Sequence, residues 1–343
     1  MFRFGILSTS HFAMTRMIPA IQAGHDTAVA AIASRDGRRA SDAARALGVP
    51  RAYDSYQALL DDKDIDAVYN PLPNHLHVPW SERAAAAGKH VLCEKPIALD
   101  VAQARRLIAA REQNRVLICE AAMVRVHPRW LAVRDLLRQK TIGELRAFVG
   151  TFGYQLGSRD NVRYDPAMGG GVLLDTGFYP VTMSRFCFGC EPTAVMARAD
   201  RDPDRGVDRL TSAILEFPQG HAIFTVGMET FPVQRAQLIG TGGHIEILNP
   251  WNPPGNLPSE IVVNTSAILE QPTPRPLSFD PVDQYTVLAE RFARAAETGK
   301  VGPIPLEDSI ENMAVLDALQ RSATSGRAEP VGELSSPQAA PLW

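Results

Sequence analysis

From residue 1 to about 120, short apolar runs alternate with Ala-rich amphipathic stretches, and no other feature narrows the fold as much. Such alternation is the signature of βαβ units and therefore of a parallel sheet. Strands are expected at Phe4 to Leu7, Thr27 to Ala33, Ala67 to Tyr69, His90 to Cys93 and Val116 to Cys119. Helices are expected at Ala40 to Leu47, Ser55 to Leu60, Val78 to Ala87 and Val101 to Glu112, with Asp100 as an N-cap. After about residue 125 the period changes. Leu145 to Phe152, Thr193 to Arg198, Leu210 to Phe217, His221 to Val226, Gln234 to Ile239 and His244 to Leu248 are β-rich runs broken by Gly, Pro or Asn. Pro218-Gln219-Gly220 and Gly240-Thr241-Gly242-Gly243 read as hairpin breaks, which makes this half mostly antiparallel.

The expected fold class is thus α/β plus α+β. A doubly wound parallel sheet over residues 1–122 precedes a domain over 123–343 built on a large, mainly antiparallel open sheet, with a cleft between the two. Three helices belong to the second half by this reading, near 172 to 188, Asp283 to Thr298 and Leu306 to Ser325, while residues 249 to 281, rich in Pro and Asn, read as loop. Tyr285, Phe292 and Met313 lie in amphipathic helices and read as core.

With 343 residues, 45% of them hydrophobic, the chain is long enough for two domains with their own cores. A net charge of -3, with both signs spread along the chain, leaves no basic stripe for a nucleic acid. No apolar run approaches the roughly 18 residues of a spanning helix, and the N-terminus enters a strand directly, so a cytoplasmic protein is expected. Of Cys93, Cys119, Cys187 and Cys190, only the last two form a Cys-x-x-Cys, without further ligands, and buried thiols are the expected state. His75 and His77 have no third ligand at useful spacing, so no metal is expected.

Two motifs carry chemistry. Cys93-Glu94-Lys95-Pro96 follows an apolar strand, at the carboxyl edge where nucleotide-binding sheets hold ligands. Gly169-Gly170-Gly171-Val172-Leu173-Leu174-Asp175-Thr176-Gly177-Phe178-Tyr179-Pro180 opens a helix and sets Asp175 and Tyr179 four apart, on one helical face. A cation near a tyrosine hydroxyl favours the phenolate, which can exchange a proton with an alcohol near neutral pH. Ser8-Thr9-Ser10-His11-Phe12-Ala13 stands where a dinucleotide fold shows Gly-x-Gly-x-x-Gly or Ala, with serines for both leading glycines. Serine is small enough to admit a pyrophosphate to the turn, although an ordinary strand-to-helix turn would read the same. At the end of the second strand Ser34 replaces the acid that grips a ribose 2′-hydroxyl, and Arg35 and Arg39 can bind a 2′-phosphate by charge-assisted hydrogen bonds. This favours NADP over NAD. A solvated helix start would also carry such arginines.

Glu94-Lys95-Pro96, Asn74-His75-Leu76-His77, Arg125-Val126-His127-Pro128 and the Gly-Gly-Gly-x-Leu-x-Asp-x-Gly-x-Tyr run together resemble the Gfo/Idh/MocA oxidoreductases over nearly the whole chain. Asn70-Pro71-Leu72-Pro73-Asn74 and Asn161-Val162-Arg163 are most similar to the branch of NADP-linked D-xylose 1-dehydrogenases and dimeric dihydrodiol dehydrogenases. Asn70, in place of a more usual apolar residue, is a departure. The resemblance implies a Rossmann first domain and a hydride transfer between a nicotinamide cofactor and a sugar, polyol or related cyclic alcohol or ketone. It makes Lys95 the catalytic lysine, Tyr179 the proton relay and Asp175 its partner, and it implies a cis bond between Lys95 and Pro96. It puts Ser8, Thr9, Ser10, His11, Phe12, Ser34, Arg35, Arg39, Pro71, Leu72, Asn74, His77, Glu94 and Lys95 on the cofactor. On the substrate side it puts Arg125, His127, Tyr154, Arg159, Asn161 and Arg163 beside Asp175 and Tyr179. Even-numbered assembly, a homodimer or homotetramer through the second-domain sheet, is implied as well. Two other functions fit the same fold: a non-catalytic dinucleotide-binding sensor or co-regulator, and a redox-neutral NAD-dependent glycosidase.

Overall fold

The computed structural model describes residues 1–268 and 272–332 and divides the chain into two compact units. The first comprises Met1–Val126 with Asp283–Ile310, the second His127–Val282 with Glu311–Trp343.

The first unit is built on six parallel strands, β1 (Phe2–Ile6), β2 (Thr27–Ala33), β3 (Arg51–Tyr53), β4 (Ala67–Asn70), β5 (His90–Cys93) and β6 (Ile118–Glu120). Their order is β3-β2-β1-β4-β5-β6, so the chain winds outward from β1 on one side and from β4 on the other. That reversal opens a crevice at the carboxyl ends of β1 and β4, the usual ligand position in such sheets. Strand β3 was not among the expected strands. It has three residues, none of them buried, and carries no apolar signal. Helix starts follow local chemistry: Asp100 accepts from the Gln103 amide at 2.7 Å to open Val101–Asn114, and Asp36 accepts from the amides of Arg38 and Arg39 to open Gly37–Leu47.

The unit boundary differs from the contiguous division expected at residue 122. Helix Gln284–Thr298 belongs to the first unit, where Phe292, fully buried, packs 5.8 Å from Phe4 and 6.3 Å from Phe2 between ring centroids. An amphipathic helix needs an apolar surface, and the Phe2 and Phe4 rings provide one that no sequence neighbour covers.

In the second unit nine strands form one sheet in the order β14-β13-β12-β11-β7-β10-β9-β8-β15. These are β7 (Leu145–Gln155), β8 (Ala194–Arg201), β9 (Asp208–Phe217), β10 (Gly220–Gly227), β11 (Glu229–Gly240), β12 (His244–Leu248), β13 (Ser259–Asn264), β14 (Arg275–Phe279) and β15 (Glu329–Pro330). All neighbours are antiparallel except β7 and β10. Strands β13 and β14 correct the expectation of loop over 249 to 281. Ile261 and Val263 point inward on either side of Val262, so the run shows no apolar–polar alternation and is too short to stand out among prolines. Along β9 every second residue is buried, so one sheet face is core and the other is not. Helix Phe178–Phe188, buried at every position, lies on the core side, where a Cβ on Gly150 of β7 would stand only 3.1 Å from Pro180.

Candidate active site

The strand ends of the first unit gather most residues expected to touch a dinucleotide. Ser8, Thr9 and Ser10 follow β1 half-exposed, and His11 and Phe12 are exposed. Ser10 caps the helix that begins there: its Oγ accepts from the Ala13 amide at 3.2 Å and its carbonyl from Met14 at 3.0 Å. Small side chains ahead of a helix N-terminus suit a pyrophosphate, so the turn fits despite its missing glycines. Ser34 directly follows β2, and its Oγ accepts from the Asp36 amide at 3.2 Å. Asp36 is committed to capping its helix, its Oδ1 accepting from the Arg38 and Arg39 amides. Arg35 and Arg39 are exposed, and both act electrostatically on the Tyr56 hydroxyl, Arg35 through a hydrogen bond as well.

Below this crevice a buried polar web holds the loops after β4 and β5. The Asn70 side chain donates to the His77 carbonyl at 3.0 Å and to Ser81 Oγ at 3.2 Å, and accepts from the Leu72 amide at 3.4 Å. The departure at Asn70 is thus a brace for the Pro71–Asn74 loop. The His77 ring, 1% exposed, sets its nitrogens 2.7 Å from the carbonyls of Leu72 and Pro96, so it supports both loops from beneath rather than lining the crevice. Glu94 accepts from the Tyr69 hydroxyl at 2.6 Å and from the Lys95 amide at 3.2 Å, the Lys95–Pro96 bond is cis, and the Ile97 amide donates to Glu120 at 2.7 Å. Lys95 emerges half-exposed from this frame.

Tyr285, read from sequence as core, is half-buried with its ring edge-on to Phe12, the centroids 5.6 Å apart, and its hydroxyl acts on that of Tyr69. The returning helix thereby adds an aromatic residue to the dinucleotide turn. No local signal marks it, because the contact spans most of the chain. Arg125 corrects another expectation: it is buried in an ion pair with Asp308 at 2.8 Å rather than presented to a substrate.

In the second unit the glycine motif meets the turn that precedes it. The Gly170 amide donates to the Asp165 carbonyl and that of Gly171 to the Arg163 carbonyl, each at 2.9 Å. A Cβ on Gly170 would stand 2.5 Å from the Arg163 carbonyl oxygen, so glycine is needed for the approach. Arg163, held there, grips Asp175 with two donors, Nε to Oδ2 at 2.7 Å and Nη2 to Oδ1 at 3.1 Å, and the Tyr154 hydroxyl donates to the same Oδ2 at 2.6 Å. Asn161 accepts from the Arg163 amide and guanidinium. The Asp175 charge raises the Arg163 pKa, while burial and then Asp175 raise that of Tyr154.

The helix start is a π-helical turn, Leu173–Gly177, wider than the α-helical spacing expected between Asp175 and Tyr179. Tyr179 is 5% exposed, its ring 5.5 Å from Phe152 and 6.1 Å from Trp251, and its hydroxyl acts on Arg163. Arg159, expected on the substrate side, pairs instead with Asp202 at 2.5 Å, and the buried His127 accepts from the Arg129 amide to cap helix Pro128–Arg138. Among the described residues no group of three or more His, Cys, Asp or Glu is placed to hold a metal, and no helix is long and apolar enough to cross a membrane.

Burial, with Arg129 adding to the effect, holds His127 at about 4 against an ordinary 6.5, and its ring nitrogen accepts from the Arg129 amide as a neutral imidazole does. Burial also lowers the His77 pKa, but its two carbonyl contacts oppose that, since both carbonyls call for an N–H from the ring. A histidine whose folded value is depressed contributes stability above pH 6.5 that is lost as pH falls toward 4, here on the order of 3 kcal/mol for His127 at ~1.4 kcal/mol per unit. Denaturant unfolding at pH 7 and pH ~4.5 should show the acid sample weaker, and His127→Gln should flatten the slope. An unchanged slope in that variant would mean that the His127 ring is not held neutral.

Residues 2–121 match the profile of the oxidoreductase family with an NAD-binding Rossmann fold, and residues 130–246 match the GFO/IDH/MocA C-terminal domain. The chain is 43% identical over 330 residues to an uncharacterized oxidoreductase of Rhizobium meliloti, covering 96% of this chain and 99% of that one. It is 37% identical to an NADP(+) D-xylose 1-dehydrogenase of Haloferax volcanii, covering 95% and 98%. The crystal structure of a 3-ketoreductase from Actinomadura kijaniata, in complex with NADP and TDP-benzene, superposes with a TM-score of 0.87 at 32% identity, covering 94% and 97%.

Proposed function

The chain belongs to the Gfo/Idh/MocA oxidoreductases, and from that premise we propose that it moves a hydride between NADP and a hydroxyl-bearing carbon of a sugar, polyol or related cyclic alcohol. The observation that carries this reading is the pair of rigid mounts for Lys95 and Tyr179, one by the Glu94 and Pro96 contacts, the other by the Arg163–Asp175 turn and an aromatic bed. Positioned groups of this kind serve proton transfer. Lys95 orients the substrate hydroxyl and, as a cation, stabilises the negative charge that develops on its oxygen. Tyr179 takes the hydroxyl proton as the carbon gives up its hydride, leaving a carbonyl, and the reverse direction uses the same groups. Bound NADP supplies the hydride acceptor, which the protein orients. Asp175 holds Arg163 and the helix turn in register.

NADP fits this site better than NAD because Ser34 brings no carboxylate to repel a 2′-phosphate, Asp36 is engaged as a cap, and Arg35 and Arg39 are exposed cations that follow Ser34 in the chain. The relatives named above for NADP agree. Ser8 to Phe12, Pro71, Leu72, Asn74 and Glu94 complete the cofactor side in this reading, and Tyr154, Arg163, Asp175 and Tyr179 the substrate side. A reducing, cytoplasmic setting goes with four cysteines that form no disulfide.

A homodimer through the open sheet is part of the same proposal. Met196, Ile214 and Ile223 stand side by side on β8, β9 and β10, each about two-fifths exposed, and Val149 of β7 continues the row. A contiguous exposed apolar stripe marks an association surface. A monomer by sedimentation would exclude it.

The decisive experiment is a screen of aldoses, ketoses, inositols and diols with both cofactors, followed at the nicotinamide absorbance. Turnover with NADP supports the reading. Tight cofactor binding without absorbance change for any compound would mean a sensor, and glycoside cleavage without net change in absorbance would mean a redox-neutral glycosidase.

A further inference from the structure

One carboxylate in the second unit belongs to no part of the reaction described so far. Asp208, the first residue of β9, turns its side chain to the glycine motif: Oδ2 accepts from the Leu173 amide at 2.8 Å and from Thr211 Oγ1 at 2.7 Å. Its Oδ1 stands 2.0 Å from the point where a Cβ on Gly171 would lie, and Gly171 has φ 107°, in the region that favours glycine. The third glycine of the motif is therefore shaped around this carboxylate, in backbone angle and in space. Leu173 is the first residue of the turn that carries Asp175, and Tyr179 follows six positions later. Unsatisfied amides at a helix start take such an acceptor readily, and the helix dipole adds to the attraction. Burial pushes the carboxyl pKa up, and its hydrogen bonds and the charge of Arg201 act against that.

We propose that Asp208 is a positioning residue for Tyr179, gripping the first turn of the tyrosine-bearing helix from β9 so that the helix keeps one register. Arg163 holds the same turn through Asp175 from the other strand connection, and Asp208 supplies the second point that fixes its rotation. The proposal rests on Tyr179 being the proton relay, and its test separates the two ideas.

Asp208→Asn keeps an acceptor of the same size, and Asp208→Leu keeps the volume without one. In the full-length protein Asp208→Asn should hold kcat within about threefold of wild type, and Asp208→Leu should lower it at least about tenfold, short of the ~100-fold that a 1 Å displacement can cost. NADPH affinity, read by nucleotide fluorescence, should stay within about twofold in both, because the first unit is untouched. Hydrogen exchange over residues 171–178 should be faster in Asp208→Leu than in wild type. Wild-type kcat, or unchanged exchange over that segment, in folded Asp208→Leu overturns the proposal. If Asp208→Leu does not fold, Thr211→Val, which removes one partner of the same carboxylate, should speed exchange over 171–178, and its failure to do so overturns the proposal as well. Tyr179→Phe, assayed in parallel, judges the relay separately: full activity there removes the relay, while the exchange data still decide whether Asp208 positions the helix.

Discussion

Tyr179→Phe and Lys95→Ala are each expected to lower kcat by at least about 100-fold while the protein stays folded, the usual scale for a positioned proton-transfer group. Folding should survive because neither change opens a core. Phe at 179 keeps the ring that packs on Phe152 and Trp251, and the Lys95 side chain is half-exposed, while the loop is held through backbone bonds to Glu94 and the contact of Pro96 with His77. The two variants should differ in cofactor affinity, which the lysine change weakens more. Single-turnover absorbance at saturating substrate measures the chemical step, and nucleotide fluorescence measures binding. Full activity of Tyr179→Phe across the pH range would remove the tyrosine from the proton path and leave Lys95 or a water in its place.

A preference for NADP of at least about tenfold in kcat/KM is the second large effect, and Ser34→Asp should reverse it. Each guanidinium contact to a 2′-phosphate is worth roughly 1.5–3 kcal/mol, so one contact alone reaches a factor of ten. Ser34 is 8% exposed at the end of β2, so a carboxylate there would be poorly solvated and would face the ribose edge, repelling a 2′-phosphate and accepting from a 2′-hydroxyl. Steady-state kinetics with both cofactors decide the matter. Equal or better use of NAD by the wild type would mean that Arg35 and Arg39 serve only solvent, and retained NADP preference in Ser34→Asp would mean that Ser34 is remote from the phosphate.

How far the chain could be read residue by residue depended on the range of the interaction. Strand β5 and the Lys95 just beyond it were legible because three apolar residues in a row, Val91 to Cys93, precede a Glu-Lys-Pro turn. Helix Val101–Asn114 was legible because its cap, Asp100, is adjacent. Strands β3 and β13 were not, since each buries too few residues to leave a period in the sequence. The π-helical turn at Leu173–Gly177 was invisible for a different reason: no residue preference marks it.

The sequence by itself determined the alternation that makes the first sheet parallel, the change of period that makes the second sheet mainly antiparallel, and the placing of Lys95 at a strand end and of Asp175 and Tyr179 at a helix start. These are consequences of periodicity and of neighbours a few residues away. Only the tertiary structure decided which charges were already spent. Arg125 and Arg159 read as cations available to a substrate, but their carboxylates come from 183 and 43 positions away. The same distance rule hid Phe292 against Phe2 and Phe4, Tyr285 against Phe12, and Asp208 against Gly171. A side chain's type sets what it can bind, but its partner is chosen by packing of apolar faces far apart in the chain, and that packing leaves no mark at the residue itself.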